Sequence, residues 1–178
     1  LSEKDDVYAT AKKQMRLSER LAADLPGFRG YKEKELRRES DKLIRNHLSQ
    51  KLAQARSNFK TIFQKMSDRR QLDVLTDMDR LVAKFDRVTE RINHASYGYS
   101  GFFDAVKVQE AALDRMTDFD NQLVDQVNSI ANEVDVFKTE VSKQNFDNVK
   151  DRVQNLTDTL ETFDETLSKR EEVIMGVS

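Results

Sequence analysis

From Phe146 to Met175 the chain reads FDNVKDRVQNLTDTLETFDETLSKREEVIM, and its apolar residues recur on one rhythm. Phe146, Val149, Val153, Leu156, Leu160, Phe163 and Leu167 are separated alternately by three and four positions. A mean period of 3.5 keeps one narrow stripe on the same side of an α-helix. A strand would alternate every second residue, which this stretch does not do. The four threonines 157, 159, 162 and 166 lower intrinsic helix propensity, so the helix must be held by packing along the stripe.

The same rhythm extends outward. Leu123, Val127, Ile130, Val134, Phe137 and Val141 predict a helix over about 103–141, and Ser142-Lys143-Gln144-Asn145 reads as a tight turn into a helix over 146–175. Leu48, Leu52, Ala55, Phe59, Ile62 and Met66 predict a long helix over about 31–66. Leu75, Met78, Val82, Phe85, Val88 and Ile92 predict another over about 68–96, its body from Leu72, with Ser67 or Asp68 as its cap. A bent continuous helix through Ser67-Asp68-Arg69-Arg70 is the other reading. Val7, Ala11, Met15 and Leu21 mark a first helix over 2–24, ended by Leu25-Pro26-Gly27. Two apolar residues per heptad leave each helix buried on one side. The expected fold is all-α: an elongated antiparallel bundle of four to five long helices with coiled-coil-like heptad packing, one domain over 1–178.

Composition narrows the function classes. The 178 residues include 5 Gly, 1 Pro, 2 His and neither Cys nor Trp. Without Cys there is no disulfide framework, iron–sulfur cluster or Cys-ligated zinc. No apolar run approaches the roughly 18 residues of a membrane-spanning helix. Neither GxSxG nor a phosphate-binding loop occurs. Glu90 and His94 are spaced Glu-x-x-x-His, not the Glu-x-x-His of di-iron bundles, and position 44, three before His47, is Ile. No enzyme activity, metal or cofactor is expected. The sequence begins at Leu1, as expected of a piece of a longer product, and a cytoplasmic location is the expectation.

Charge separates along the chain. Residues 1–70 hold 18 Lys+Arg against 10 Asp+Glu, and residues 71–178 hold 12 against 22, around an overall net charge of −2. Within the second helix Arg38, Lys42, Arg45, Arg56 and Lys60 form a stripe beside the apolar seam, a candidate anion-binding surface. Asp147, Asp151, Asp158, Glu165 and Glu172 lie opposite the seam of the last helix. Internal neutralisation of the basic part by the acidic part is the first expectation. An anionic membrane surface is the second, and nucleic acid is disfavoured because the acidic part repels phosphate. In coarse order, a long basic hairpin followed by acidic helices is similar to phage-shock and ESCRT-type membrane-remodelling proteins. That likeness implies peripheral membrane assembly and assigns no residue.

Two GxxG tetrads, Gly27-Phe28-Arg29-Gly30 and Gly98-Tyr99-Ser100-Gly101, hold four of the five glycines. Aromatic residues cluster around them, and up-down helix order would bring both toward one end. Phe28, Arg29, Tyr31, Lys32, Tyr97, Tyr99 and Phe102 are therefore candidate partner-docking residues, with plugging of the bundle end as the competing explanation. The expected function is a non-enzymatic scaffold or protein-interaction module, binding a protein partner or itself through helix surfaces or this loop end. The alternative is a peripheral membrane-associated assembly protein using the basic second helix.

Overall fold

A computed structural model describes residues 3–95 and 108–176. Among these it contains five helices and no strand: α1 (Glu3–Asp24), α2 (Lys34–Asp68), α3 (Leu72–His94), α4 (Glu110–Ser142) and α5 (Val149–Ile174). The helices pack as a bundle. Each expected helix is present, with shifted ends. α2 starts at Lys34, not near 31: Gly27 and Gly30 take φ of +91° and +81°, and the Gly30 and Tyr31 carbonyls are bonded by the Ser40 and Arg37 side chains. α4 starts at Glu110, and 103–107 of its expected span lie outside the described residues.

The two stretches that could be read as turns or bends are turns of one kind. After α2, Arg70 N bonds Ser67 O and Gln71 N bonds Met66 O. After α4, Gln144 N bonds Val141 O and Asn145 N bonds Glu140 O. Both are Schellman closures, with Arg70 (φ +57°) and Gln144 (φ +62°) in the left-handed position that glycine usually fills.

Residue contacts divide the chain into two compact units where the sequence suggests one domain. One takes Leu1–His47, Ala95–Val124 and Thr166–Ser178; the other takes Leu48–His94 and Asp125–Glu165.

The second unit is a four-helix up-down-up-down arrangement. Asn58 bonds Asp135 and Lys65 bonds Ser142, each across 77 residues, so α2 and α4 run parallel. Lys84–Glu161 and Arg91–Asp164 relate α3 and α5 in the same sense. Phe59 stacks against Phe85 while Arg56 pairs with Asp86, so α2 and α3 are antiparallel. The seams of α2, α4 and α5 are buried as expected, except that Phe146 lies before α5, half-buried beneath the Arg69 guanidinium at 4.6 Å.

In α3 the buried set is Val74, Met78, Leu81, Phe85, Val88 and Ile92; Leu75 and Val82, expected in the seam, are half-buried flanks. The corrected spacing is 4-3-4-3-4, the rhythm of the other helices. Adding 75 to the α2 and α3 seam positions 48, 52, 55, 59, 62, 66, 74, 78, 81, 85, 88 and 92 reproduces the α4 and α5 seams. Two helical hairpins thus share one seam pattern although few of their residues are identical. Each fully buried seam side chain contributes about 1.5–3 kcal/mol, against about 0–1 for each exposed ion pair, so the seams decide this unit's stability.

In the first unit, Leu21, Leu25, Phe28, Tyr31, Ile44, Leu113, Met116, Val173 and Ile174 form the apolar interior. α1 touches it sparingly. Of its 22 residues only Gln14 and Leu21 are buried, and Asn121 Nδ2 reaches Leu17 O at 3.3 Å.

Candidate functional site

The heptad positions of three helices continue past their apolar residues into the first unit, and there they carry charge. α2 continues as Ile44, Asp41 and Arg37, α4 as Asp120, and α5 as Arg170, all buried. Arg170 Nε donates to Asp120 Oδ1 at 2.6 Å, and its Nη2 donates to Asp41 Oδ1 at 2.8 Å and to the Tyr31 hydroxyl oxygen at 3.2 Å. The Tyr31 hydroxyl donates to Asp120 Oδ2. Arg45 Nε closes the layer on Asp41 Oδ2 at 2.8 Å.

Asp41 and Asp120 each meet a guanidinium, from Arg45 and Arg170, which is the condition for keeping such groups out of water, and a third guanidinium, Arg37, is buried beside them. Burial, then the negative charge of Asp120, pushes the Tyr31 hydroxyl well above its ordinary value. Burial also raises Asp120, partly offset by Arg170. For Arg170, burial acts to lower its value, but Asp120, Tyr31 and Asp41 outweigh burial and hold the guanidinium protonated.

The layer also pins the loop before α2. Arg37 Nε donates to Tyr31 O and Ser40 Oγ to Gly30 O, both at 2.7 Å. Phe28 packs edge-on against Tyr31, with centroids 5.9 Å apart. Phe28 and Tyr31 are 5% and 2% exposed, so these two of the five aromatics read as docking residues are core residues. The glycines of that tetrad let the chain turn so that both rings enter the interior. Arg29 and Lys32 are exposed, and Lys32 lies 3.5 Å from Glu110. Tyr97, Tyr99 and Phe102 lie outside the described residues.

The basic stripe of α2 is divided. In the first unit Arg38 and Lys42 are exposed while Arg45 belongs to the buried layer. In the second unit Arg56 is held by Asp86 and Lys60 is exposed. Arg45 and Arg56 are therefore neutralised by carboxylates, Arg45 by one within α2 itself. Glu90 and His94 meet at 3.0 Å on an exposed turn, and among the described residues no three His, Asp or Glu converge for a metal.

An exposed surface on α1 is the strongest candidate for contact with another molecule. Val7, Ala11 and Met15 form one row along the helix, each four residues from the next. Val7 and Met15 are each 65% exposed, and Tyr8 beside them is 72% exposed. The adjacent row is Lys4, Tyr8, Lys12 and Arg16, all exposed. A groove of about 360 Å³, lined by Val7, Ala11, Ala111 and Asp114 among others, opens beside the apolar row. Burial, then Glu110, raises the Asp114 carboxyl there. Val7, Ala11 and Met15 all belonged to the expected buried stripe of the first helix, of which only Leu21 is in the interior.

Comparison of the chain with known protein families, curated proteins and solved structures finds no match. No helix among the described residues is long and apolar enough to cross a membrane.

Proposed function

We propose that this all-α bundle is a non-enzymatic interaction module whose working surface is the exposed apolar side of α1 carrying Val7, Tyr8 and Met15. The observation that carries this reading is a 22-residue helix with only two buried residues and three large apolar side chains in solvent. Helices draw most of their stability from packing of an amphipathic face, and α1 uses little of its own for that. The buried layer supplies a rigid seat, because Asp120 is followed on α4 by Asn121, which bonds the α1 backbone.

A photo-reactive amino acid at position 15 tests the reading in cells, with position 158 on the exposed side of α5 as control. Specific crosslinked products from position 15 support it, and their absence at both positions removes it.

A second reading, association with an anionic membrane surface, draws on the exposed Arg38, Lys42 and Lys60. It calls for sedimentation with anionic vesicles that weakens with salt and with charge reversal at these three positions. No binding at about 0.1 M salt, where the Debye length is about 10 Å, eliminates it.

A further inference from the structure

We propose that the acidic cleft between the starts of α1 and α4 binds a linear aliphatic polyamine. The proposal does not rest on the interaction-module reading. The two helices run in the same sense here: Val7 and Ala11 share the cleft with Ala111 and Asp114, and further along Asn121 reaches the Leu17 carbonyl.

Charge is the first observation. The cleft, of about 360 Å³, is lined by Glu3 and Asp6 on α1, by Glu110 and Asp114 on α4, and by one cation, Lys32. Lys32 lies 3.5 Å from Glu110, and Glu3, Asp6 and Asp114 make no ion pair among the described residues. Acids at a helix start are ordinary, because each N-terminus carries about half a positive charge. Four carboxylates less one ammonium leave three negative charges, of which two helix starts offset about one. The cleft stays anionic. Burial and then Glu110 raise the Asp114 carboxyl despite Lys32, the response of an acid short of positive charge nearby.

Gln14 is the second, independent observation. It is the one buried residue of the cleft's lining, 9% exposed, and its Oε1 is out of solvent without a hydrogen-bond partner. An amide oxygen can only accept, and leaving one unpaired in the interior is costly. The missing group is a donor. Carboxylates cannot supply one, whereas an ammonium carries three.

The acids are spread along the cleft. Among the described residues no three carboxylates converge for a metal ion. At ~1.5 Å per residue, Glu3 to Gln14 covers about 16 Å of helix. A matching cation therefore carries several charges at intervals. Between the acids the wall is apolar, with Val7, Ala11 and Ala111, and suits methylene stretches between ammonium groups. Linear polyamines have this alternation. Bound there, one also ties α1, which buries only two residues, to α4.

Calorimetric titration of the full chain with spermidine at about 0.1 M salt tests the site. The expected result is a saturable site that butylamine, with a single ammonium, fills at least about ten times more weakly. Asp114→Asn should weaken spermidine about tenfold and the more exposed Glu110→Gln about three- to fivefold. Gln14→Leu should weaken it about fivefold and leave the fold intact, because an apolar side chain of similar size replaces the unpaired acceptor. Asp151→Asn, on the exposed side of α5, should change nothing. Hydrogen exchange of the α1 amides should slow at saturation. No saturable binding below about 5 mM spermidine overturns the proposal. So does binding that Asp114→Asn and Gln14→Leu leave unchanged, that Asp151→Asn weakens equally, or that equimolar Mg²⁺ displaces. Unchanged α1 exchange at saturation places the ligand elsewhere and overturns it as well.

Discussion

Arg170 and Asp120 form an ion pair at 2.6 Å at positions where the heptad rhythm of α5 and α4 places apolar residues elsewhere. Both side chains are out of solvent, so their desolvation is repaid only by each other and by Asp41, Tyr31 and Arg45. A layer of this kind accepts one arrangement of its helices, because any slip of register leaves a charge unpaired in the interior.

Removing one member should therefore cost more than its contacts suggest. Arg170→Met is expected to destabilise the protein by about 3–5 kcal/mol in urea unfolding, leaving Asp120 and Asp41 short of a cation. Asp120→Leu should cost a similar amount. The double variant should lose less than the sum of the two, by about 0.5–3 kcal/mol. Additive losses would show that the pair is not coupled.

The Tyr31 proton gives the layer an alkaline signature. An unfolded tyrosine ionises near pH 10, while burial and Asp120 hold Tyr31 protonated above that. Between the two values the native state binds the extra proton, so this contribution to stability is complete below about pH 10 and is lost as pH rises toward the native value. Ultraviolet titration of wild type and Tyr31→Phe checks it. The difference between the curves should appear only with unfolding, and a difference centred near pH 10 in the folded protein would place Tyr31 in solvent.

The corrected seam of α3 makes a paired prediction. Leu81→Ala should cost about 2–5 kcal/mol, whereas Val82→Ala should cost clearly less, because Leu81 is 1% exposed and Val82 is half-buried. Thermal melts of the two variants should separate cleanly. Equal losses would restore the seam through Leu75 and Val82.

On α5, Leu160→Asp should destabilise the second unit severely by burying an unpaired charge among the seam residues. Asp158→Ala, on the exposed side, should leave melting almost unchanged. Comparable losses would mean that the buried side of α5 is wrongly assigned.

The two Schellman turns predict a gain. Arg70→Gly and Gln144→Gly should each raise stability by about 0.5–1 kcal/mol, since both residues sit at positive φ where a Cβ is strained. Chemical unfolding of the two single variants reads this directly. A loss in both would show that their side chains contribute more than the backbone strain removes.

The alternation of three and four in 48–66, 123–141 and 149–167 was legible without coordinates, because an apolar stripe on a helix is a one-dimensional signal. So were a count of four to five helices and the tight turn at 142–145, whereas the break at 67–70 stayed open between a turn and a bent helix until the structure closed it. The error in α3 arose where two apolar residues, Val74 and Leu75 or Leu81 and Val82, stand side by side. Composition cannot choose between neighbours there, and only the packing of α2, α4 and α5 against that helix decided which one turns inward.

The sequence by itself determined that this chain is helical, that most of its helices bury one narrow side, and that its charge is divided along its length. Local spacing and composition are sufficient for each of these. Tertiary structure alone decided which polar residues are interior. Asp41, Asp120 and Arg170 stand 50 to 129 residues apart and look like ordinary surface charges in the sequence, yet they meet in one layer. It also decided the roles of two apolar sets that look alike on paper. Phe28 and Tyr31 turn into the core because positive-φ glycines steer them there, while Val7, Tyr8 and Met15 stay largely in solvent because the described chain covers α1 mainly around Gln14 and Leu21. Burial is a property of what surrounds a residue, and those surroundings come from distant parts of the chain.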